Sequence, residues 1–147
     1  MKKVIVIAFL FFPIVLLITG MKNKSSEDDQ YRQPDLKKSM IAGEKVFKKY
    51  CISCHQADGG GVPNLNPPLI QTSFVLGNKD TLITIVLNGL KNVDVDNESY
   101  NNPMPALESV LKDQEIADVL TYVRNSFGNK ASAVAMVEVK GVRSKTK

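Results

Sequence analysis

Three helical stretches, no convincing strand pattern, and two long loops rich in glycine, proline and asparagine predict an all-α domain. Loops of that length must wrap something. The domain is also small enough to have a thin core, and small cores are usually helped by a staple.

The 147-residue chain opens with Met1-Lys2-Lys3, then an apolar run from Val4 to Ile18, then Thr19-Gly20. A basic start followed by an apolar run is the pattern of a secretory signal. The run is shorter than the roughly 18–20 residues of a spanning helix, and Pro13 interrupts it. No A-x-A cleavage site follows, and no cysteine lies near its end, which excludes a lipoprotein anchor. Residues 1–20 therefore read as a signal peptide or an N-terminal membrane anchor, with residues 4–18 as the tether. Either way the domain leaves the cytoplasm. Residues 21–35 form a polar linker with almost nothing to bury. The domain spans 36–128, and 129–147 reads as a basic, flexible C-terminal tail.

The first helix is expected from Leu36 to Tyr50. Leu36, Met40, Ile41, Val46, Phe47 and Tyr50 form its imperfect apolar face. Gly43 costs helix propensity there and makes sense if another helix crosses closely. The second helix runs from about Lys79 to Asn88, with Asn78 or Asp80 as cap, Leu82, Ile85, Val86 and Leu87 as its apolar side and Gly89 as stop. In the third, Ile116, Val119, Leu120, Val123 and Phe127 share a face and Gly128 ends the run. Asp113 and Glu115 suit its first turn and Arg124 its last. The connecting loops are 59–78 and 91–105.

The formal charge of +4 misleads, because Lys2, Lys3 and four tail cations account for the excess. The body is about neutral, which excludes a strongly basic nucleic-acid footprint.

The only two cysteines and the only histidine fall within Cys51-Ile52-Ser53-Cys54-His55. This is the C-x-x-C-H run of a c-type haem attachment site. Two thiols at that spacing reach the two vinyl groups on one porphyrin edge, and the following imidazole binds iron from the proximal side. The expected cofactor is one haem c per chain, bound covalently through Cys51 and Cys54. A structural zinc site would need four ligands and lacks them. A thioredoxin-like pair follows a strand, whereas here a helical stretch leads in. A disulfide over so short a loop would remove little chain entropy.

With no second histidine, the other axial ligand must come from elsewhere. Met40 lies on the first helix and Met136 in the expected tail. Met104 sits in Pro103-Met104-Pro105, where two prolines stiffen the loop that would present a weak thioether ligand. The alternative fate of Met104 is core packing. A His55–Met104 pair raises the reduction potential and fills both axial positions, which favours electron transfer over catalysis.

From Leu36 to Phe127 the chain resembles class I cytochromes c. The resemblance rests on Cys51-x-x-Cys54-His55, on Pro103-Met104-Pro105, on Gly43 and Phe47 in the first helix, and on Val119 and Tyr122 in the last. It implies the small class I cytochrome c fold, with three main helices around one haem. It also implies that a proline carbonyl holds the proximal imidazole, Pro67 or, as the alternative, Pro68. Lys112 departs from the pattern, since a serine cap is expected there. The segments from His55 to Leu69 and from Tyr100 to Ala106 look like the mono-haem cytochromes that accompany bacterial dehydrogenases. The resemblance implies a periplasmic carrier, or one on the outer face of the cytoplasmic membrane, that is not an enzyme. Its partners would be a redox donor and acceptor: a dehydrogenase, a nitrite reductase or a terminal oxidase. Alternatives are a dedicated subunit of a dehydrogenase or nitrite reductase, and a haem peroxidase or gas sensor with a displaceable methionine. Gly59 to Pro63 is a candidate docking rim, or simply a turn.

Overall fold

A computed structural model describes residues 35–146. The expected signal or anchor, and all of the linker except Asp35, lie outside the described residues. Along the chain come α1 (Leu36–Tyr50), α2 (Ile52–His55), α3 (Ser73–Leu76), α4 (Lys79–Asn88), β1 (Val93–Val95), β2 (Glu98–Tyr100), α5 (Asp113–Asn125) and α6 (Met136–Lys145). Among the described residues no helix is long and apolar enough to cross a membrane.

The crossing of α1 on α5 organises the molecule. Asp35 caps α1 by accepting from the Lys38 N–H at 3.3 Å. The buried stripe of α1 is Ser39, Gly43 and Phe47, one residue per turn. This corrects the apolar face expected from sequence: Leu36 and Ile41 are half exposed. The reason is proximity, since a Cβ on Gly43 would run into the Asp118 backbone and approach the Tyr122 Cβ at 2.7 Å. Small side chains win where backbones nearly touch. Beside the crossing, the Ser39 hydroxyl donates to the buried Asp118 carboxylate. Phe47, Tyr122 and Phe127 pack as an aromatic trio with centroids 5.3–5.7 Å apart.

The α4 helix has the expected bounds. Asn78 accepts from the Thr81 N–H at 3.0 Å, and Gly89 ends the helix at φ +76°. Ile83 is fully buried along with Leu87, whereas Ile85 is only partly buried. Lys112 offers α5 no side-chain cap, but Glu115 reaches back to accept from the Lys112 N–H at 2.9 Å. That half of a capping box replaces the missing serine. Phe127 is a correction: α5 ends at Asn125, and Phe127 takes a left-handed φ of +57°.

Two further expectations fail. The loop over 91–105 contains a β-hairpin, with Val93 paired to Tyr100 and Val95 to Glu98. Asp96 and Asn97 both have positive φ, as a tight hairpin turn requires, and asparagine and aspartate tolerate that region. Three-residue strands are too short to show a clear alternation. The stretch 129–147 was expected to be a flexible tail, yet 136–145 form a helix docked on α4 and α5. Val134, Val139 and Val142 are buried, and Lys79 bridges Glu138 at 3.0 Å. Its cations and Gly141 mask a short valine stripe.

Candidate prosthetic-group site

The C-x-x-C-H run sits where α1 gives way to the single turn of α2. The Cys51 N–H still bonds the Phe47 carbonyl at 2.9 Å, and the His55 N–H bonds the Cys51 carbonyl at 3.0 Å. One continuous helical turn thus brings Cys51, Cys54 and His55 to the same wall of a cleft. Gln56 turns the chain away with φ +64°.

The next loop folds back under the histidine. The Gly61 N–H bonds the His55 carbonyl at 3.1 Å, and the Leu69 N–H bonds the Gly59 carbonyl at 2.7 Å. Gly61 has φ +68°, and a Cβ there would meet the Pro67 carbonyl oxygen at 2.7 Å. Glycine is therefore what lets Pro67 come in close. The Pro67 oxygen, rather than that of Pro68, lies 3.0 Å from His55 Nδ1. A carbonyl can only accept, so Nδ1 carries the proton and Nε2 keeps its lone pair. Burial lowers the His55 pKa, opposed by the bond to Pro67. The net shift favours the neutral ring, the form that binds a metal. Within the Gly59–Pro63 stretch Gly59 is buried against the Phe127 ring, whereas Gly60, Gly61 and Val62 are partly exposed and Pro63 is exposed.

Met104 lines the same cleft. It is fixed by a two-bond bridge to Leu90, with Met104 N–H to Leu90 carbonyl at 2.8 Å and the reverse bond at 3.1 Å. A Cβ on Gly89 would reach the Ala106 nitrogen at 2.9 Å, so this approach also needs glycine. Met40 and Met136 do not line the cleft, and Met136 is exposed.

Sequence reasoning missed the tie between the two sides. The Asn101 and Asn102 N–H groups bond the carbonyls of Asn64 and Leu65 at 3.2 and 3.1 Å. The Asn102 side chain donates to Asn66 at 2.7 Å. These residues are far apart in the chain, and only the asparagine content of both loops hinted at the link. The acidic residues Asp94 and Asp96 serve as local acceptors, for Ser99 and for the Ser73 N–H.

The cleft has a volume of about 1280 Å³, its open mouth included, and Leu82, Ile85, Val86, Leu90, Val119 and Val123 supply much of its apolar wall. Both cysteines are partly exposed on the cleft wall, and no disulfide joins them. Burial, and secondarily Cys54, pushes the Cys51 thiol up to about 11. Two thiols, one imidazole and one thioether on an apolar wall fit an apolar prosthetic group that carries a metal.

Fold and site together define a small helical protein built around a prosthetic group. Residues 40–127 match the family model for cytochrome c, and the chain belongs to the cytochrome c family. Its members are electron carriers rather than enzymes and hold haem c covalently. The chain is 34% identical over 92 residues to the cytochrome c subunit of a quinone-dependent alcohol dehydrogenase from Gluconacetobacter polyoxogenes, covering 62% of this chain and 20% of the relative. Cytochrome c-552 from Thermus thermophilus is 35% identical over 92 residues, 59% of this chain and 69% of that one. The gluconate 2-dehydrogenase cytochrome c subunit of Pantoea cypripedii is 36% identical over 93 residues, 62% of this chain and 21% of the relative. The chain thus spans about a fifth of the length of the dehydrogenase subunits it matches.

Proposed function

We propose that this chain is a one-electron carrier outside the cytoplasm, with one haem c attached through Cys51 and Cys54 and iron held by His55 and Met104. One observation carries the reading. Among the described methionines only Met104 lines the cleft shared by both cysteines and by His55, whose Nδ1 engages the Pro67 carbonyl. When bound, the haem supplies reversible Fe(III)/Fe(II) chemistry. The chain's own residues do the rest. Pro67 fixes the tautomer and orientation of His55, leaving Nε2 for iron. The Leu90 bridge and the flanking prolines present the Met104 thioether without further loss of chain entropy. The apolar wall excludes water, which lowers the local dielectric and keeps exogenous ligands off the metal.

Residues 1–20 act in this reading as a signal peptide or anchor, 21–35 as a spacer, and the remainder as one folded body. The work is periplasmic or at the outer face of the cytoplasmic membrane. A dehydrogenase is the favoured electron donor, because several relatives are named as dehydrogenase cytochrome subunits. A terminal oxidase or nitrite reductase would be the acceptor.

The test is the absorption spectrum of purified holoprotein when oxidised, reduced, and reduced under CO. Low-spin bands that CO leaves unchanged are expected. A CO-shifted spectrum in the native protein would mean an open sixth position, and the carrier reading would give way to a sensor or peroxidase.

A further inference from the structure

The C-terminal helix α6 lies beyond the matched residues 40–127, and its Arg143 does something specific. Its guanidinium is mostly buried and spreads over three acceptors. Nη1 donates to the Glu108 carbonyl at 2.7 Å, Nη2 to the Leu111 carbonyl at 2.9 Å, and Nε to the Asp113 carboxylate at 2.6 Å. All three lie on the segment that runs from Met104 into α5. That segment is otherwise held to α4, by the Leu107 N–H to the Val86 carbonyl at 3.0 Å and the Glu108 N–H to the Leu87 carbonyl at 3.2 Å. Only Pro105 and Ala106 separate Met104 from Leu107. A proline leaves that short span little freedom to absorb motion.

We infer that Arg143 is a positioning residue: through its fork on Glu108, Leu111 and Asp113, α6 clamps the C-terminal side of the Met104 loop and keeps the methionine in the cleft. The physical case is one of competing anchors. On its N-terminal side the loop has Asn101 and Asn102 bonded to 64–66. On its C-terminal side, two neutral backbone bonds to α4 are supplemented by charge-assisted bonds from a mostly buried cation, which are the stronger kind. A planar guanidinium satisfies three acceptors in fixed directions, which a lysine ammonium cannot reproduce at the same positions. The other charged group that binds α6 to the body, Glu138 with Lys79, contacts α4 and not this loop.

The inference rests on Met104 being the iron ligand, so its test reads the loop both with and without reference to iron. In the holoprotein, Arg143→Ala is expected to speed amide hydrogen exchange at Leu107, Glu108 and Leu111 by roughly ten- to hundredfold, the range that loss of charge-assisted bonds supports. The same variant should bind imidazole in the oxidised state, or CO in the reduced state, at least tenfold more tightly than wild type. Lys79→Ala loosens α6 at its other end and should change neither reading. Arg143→Lys should recover less than half of the effect on a logarithmic scale. Unchanged exchange in Arg143→Ala, or an equal change in Lys79→Ala, overturns the clamp. If Met104→Ala leaves the iron closed to CO while the exchange rates respond to Arg143, the ligand assignment fails and the functional consequence inferred for the clamp falls with it.

Discussion

Replacing Gly43 by alanine asks whether backbone proximity at the α1–α5 crossing really dictates this residue. Helix propensity alone would reward the change by about 1 kcal/mol. The structure opposes it, because the new methyl would overlap the Asp118 carbonyl group and lie 2.7 Å from the Tyr122 Cβ. Neither obstacle is the end of a flexible side chain, so relief requires the two helices to separate. Overpacking of that kind costs about 1–3 kcal/mol and occasionally more. Separation also strains the buried bond from Ser39 to Asp118, worth about 1 kcal/mol. We expect a net loss of about 2 kcal/mol, which at about 4 °C per kcal/mol lowers Tm by roughly 8 °C. The assay is thermal unfolding of the holoprotein followed by far-ultraviolet circular dichroism. Gly141→Ala provides the counterpart, since nothing lies within 4 Å of its added Cβ in α6. There propensity acts alone, and a gain of about 0.5–1 kcal/mol is expected. If Gly43→Ala unfolds at or above the wild-type temperature while Gly141→Ala shows its gain, the close-crossing argument is wrong.

Met104→Ala should retain covalent haem but lower the reduction potential and admit CO in the reduced state; an unchanged spectrum under CO would remove Met104 from the ligand set. Cys51→Ala should sharply reduce the yield of holoprotein, and full, stable haem loading would show that one thioether is enough. Asn129 is buried, accepts from the Gln71 N–H at 2.7 Å and donates to the Leu69 and Val123 carbonyls at 2.8 Å. Its replacement by alanine should cost about 3 kcal/mol, read as a lower urea midpoint at unchanged slope. A midpoint within experimental error of wild type would show that water substitutes freely there.

Local chemistry was the legible part of this protein. Five residues contain every cysteine and histidine, so Cys51, Cys54 and His55 stood out without any knowledge of packing. The bounds of α4 were legible because Asn78 and Gly89 act on their own neighbours. Pro67 was named only by resemblance, and the geometry that brings its carbonyl to His55 depends on Gly61, a loop residue with no periodic signal. The hairpin over 93–100 escaped because three-residue strands carry almost no period, although Asp96-Asn97 is a recognisable turn pair. Helix α6 escaped because its charge suggested solvent while its burial rests on a few valines.

What the sequence determined by itself was the cofactor chemistry, the all-α class and the helices whose caps and stops are written beside them, since each depends on groups a few residues apart. Only the tertiary structure decided which face of α1 is buried, how the asparagines of two loops join across the cleft, and that the C-terminal segment grips the Met104 loop. Those outcomes turn on distances between backbones and on carbonyls that Arg143 reaches from 32 and 35 residues away. Such carbonyls are present in every residue, so no pattern of side chains along the chain can mark them in advance.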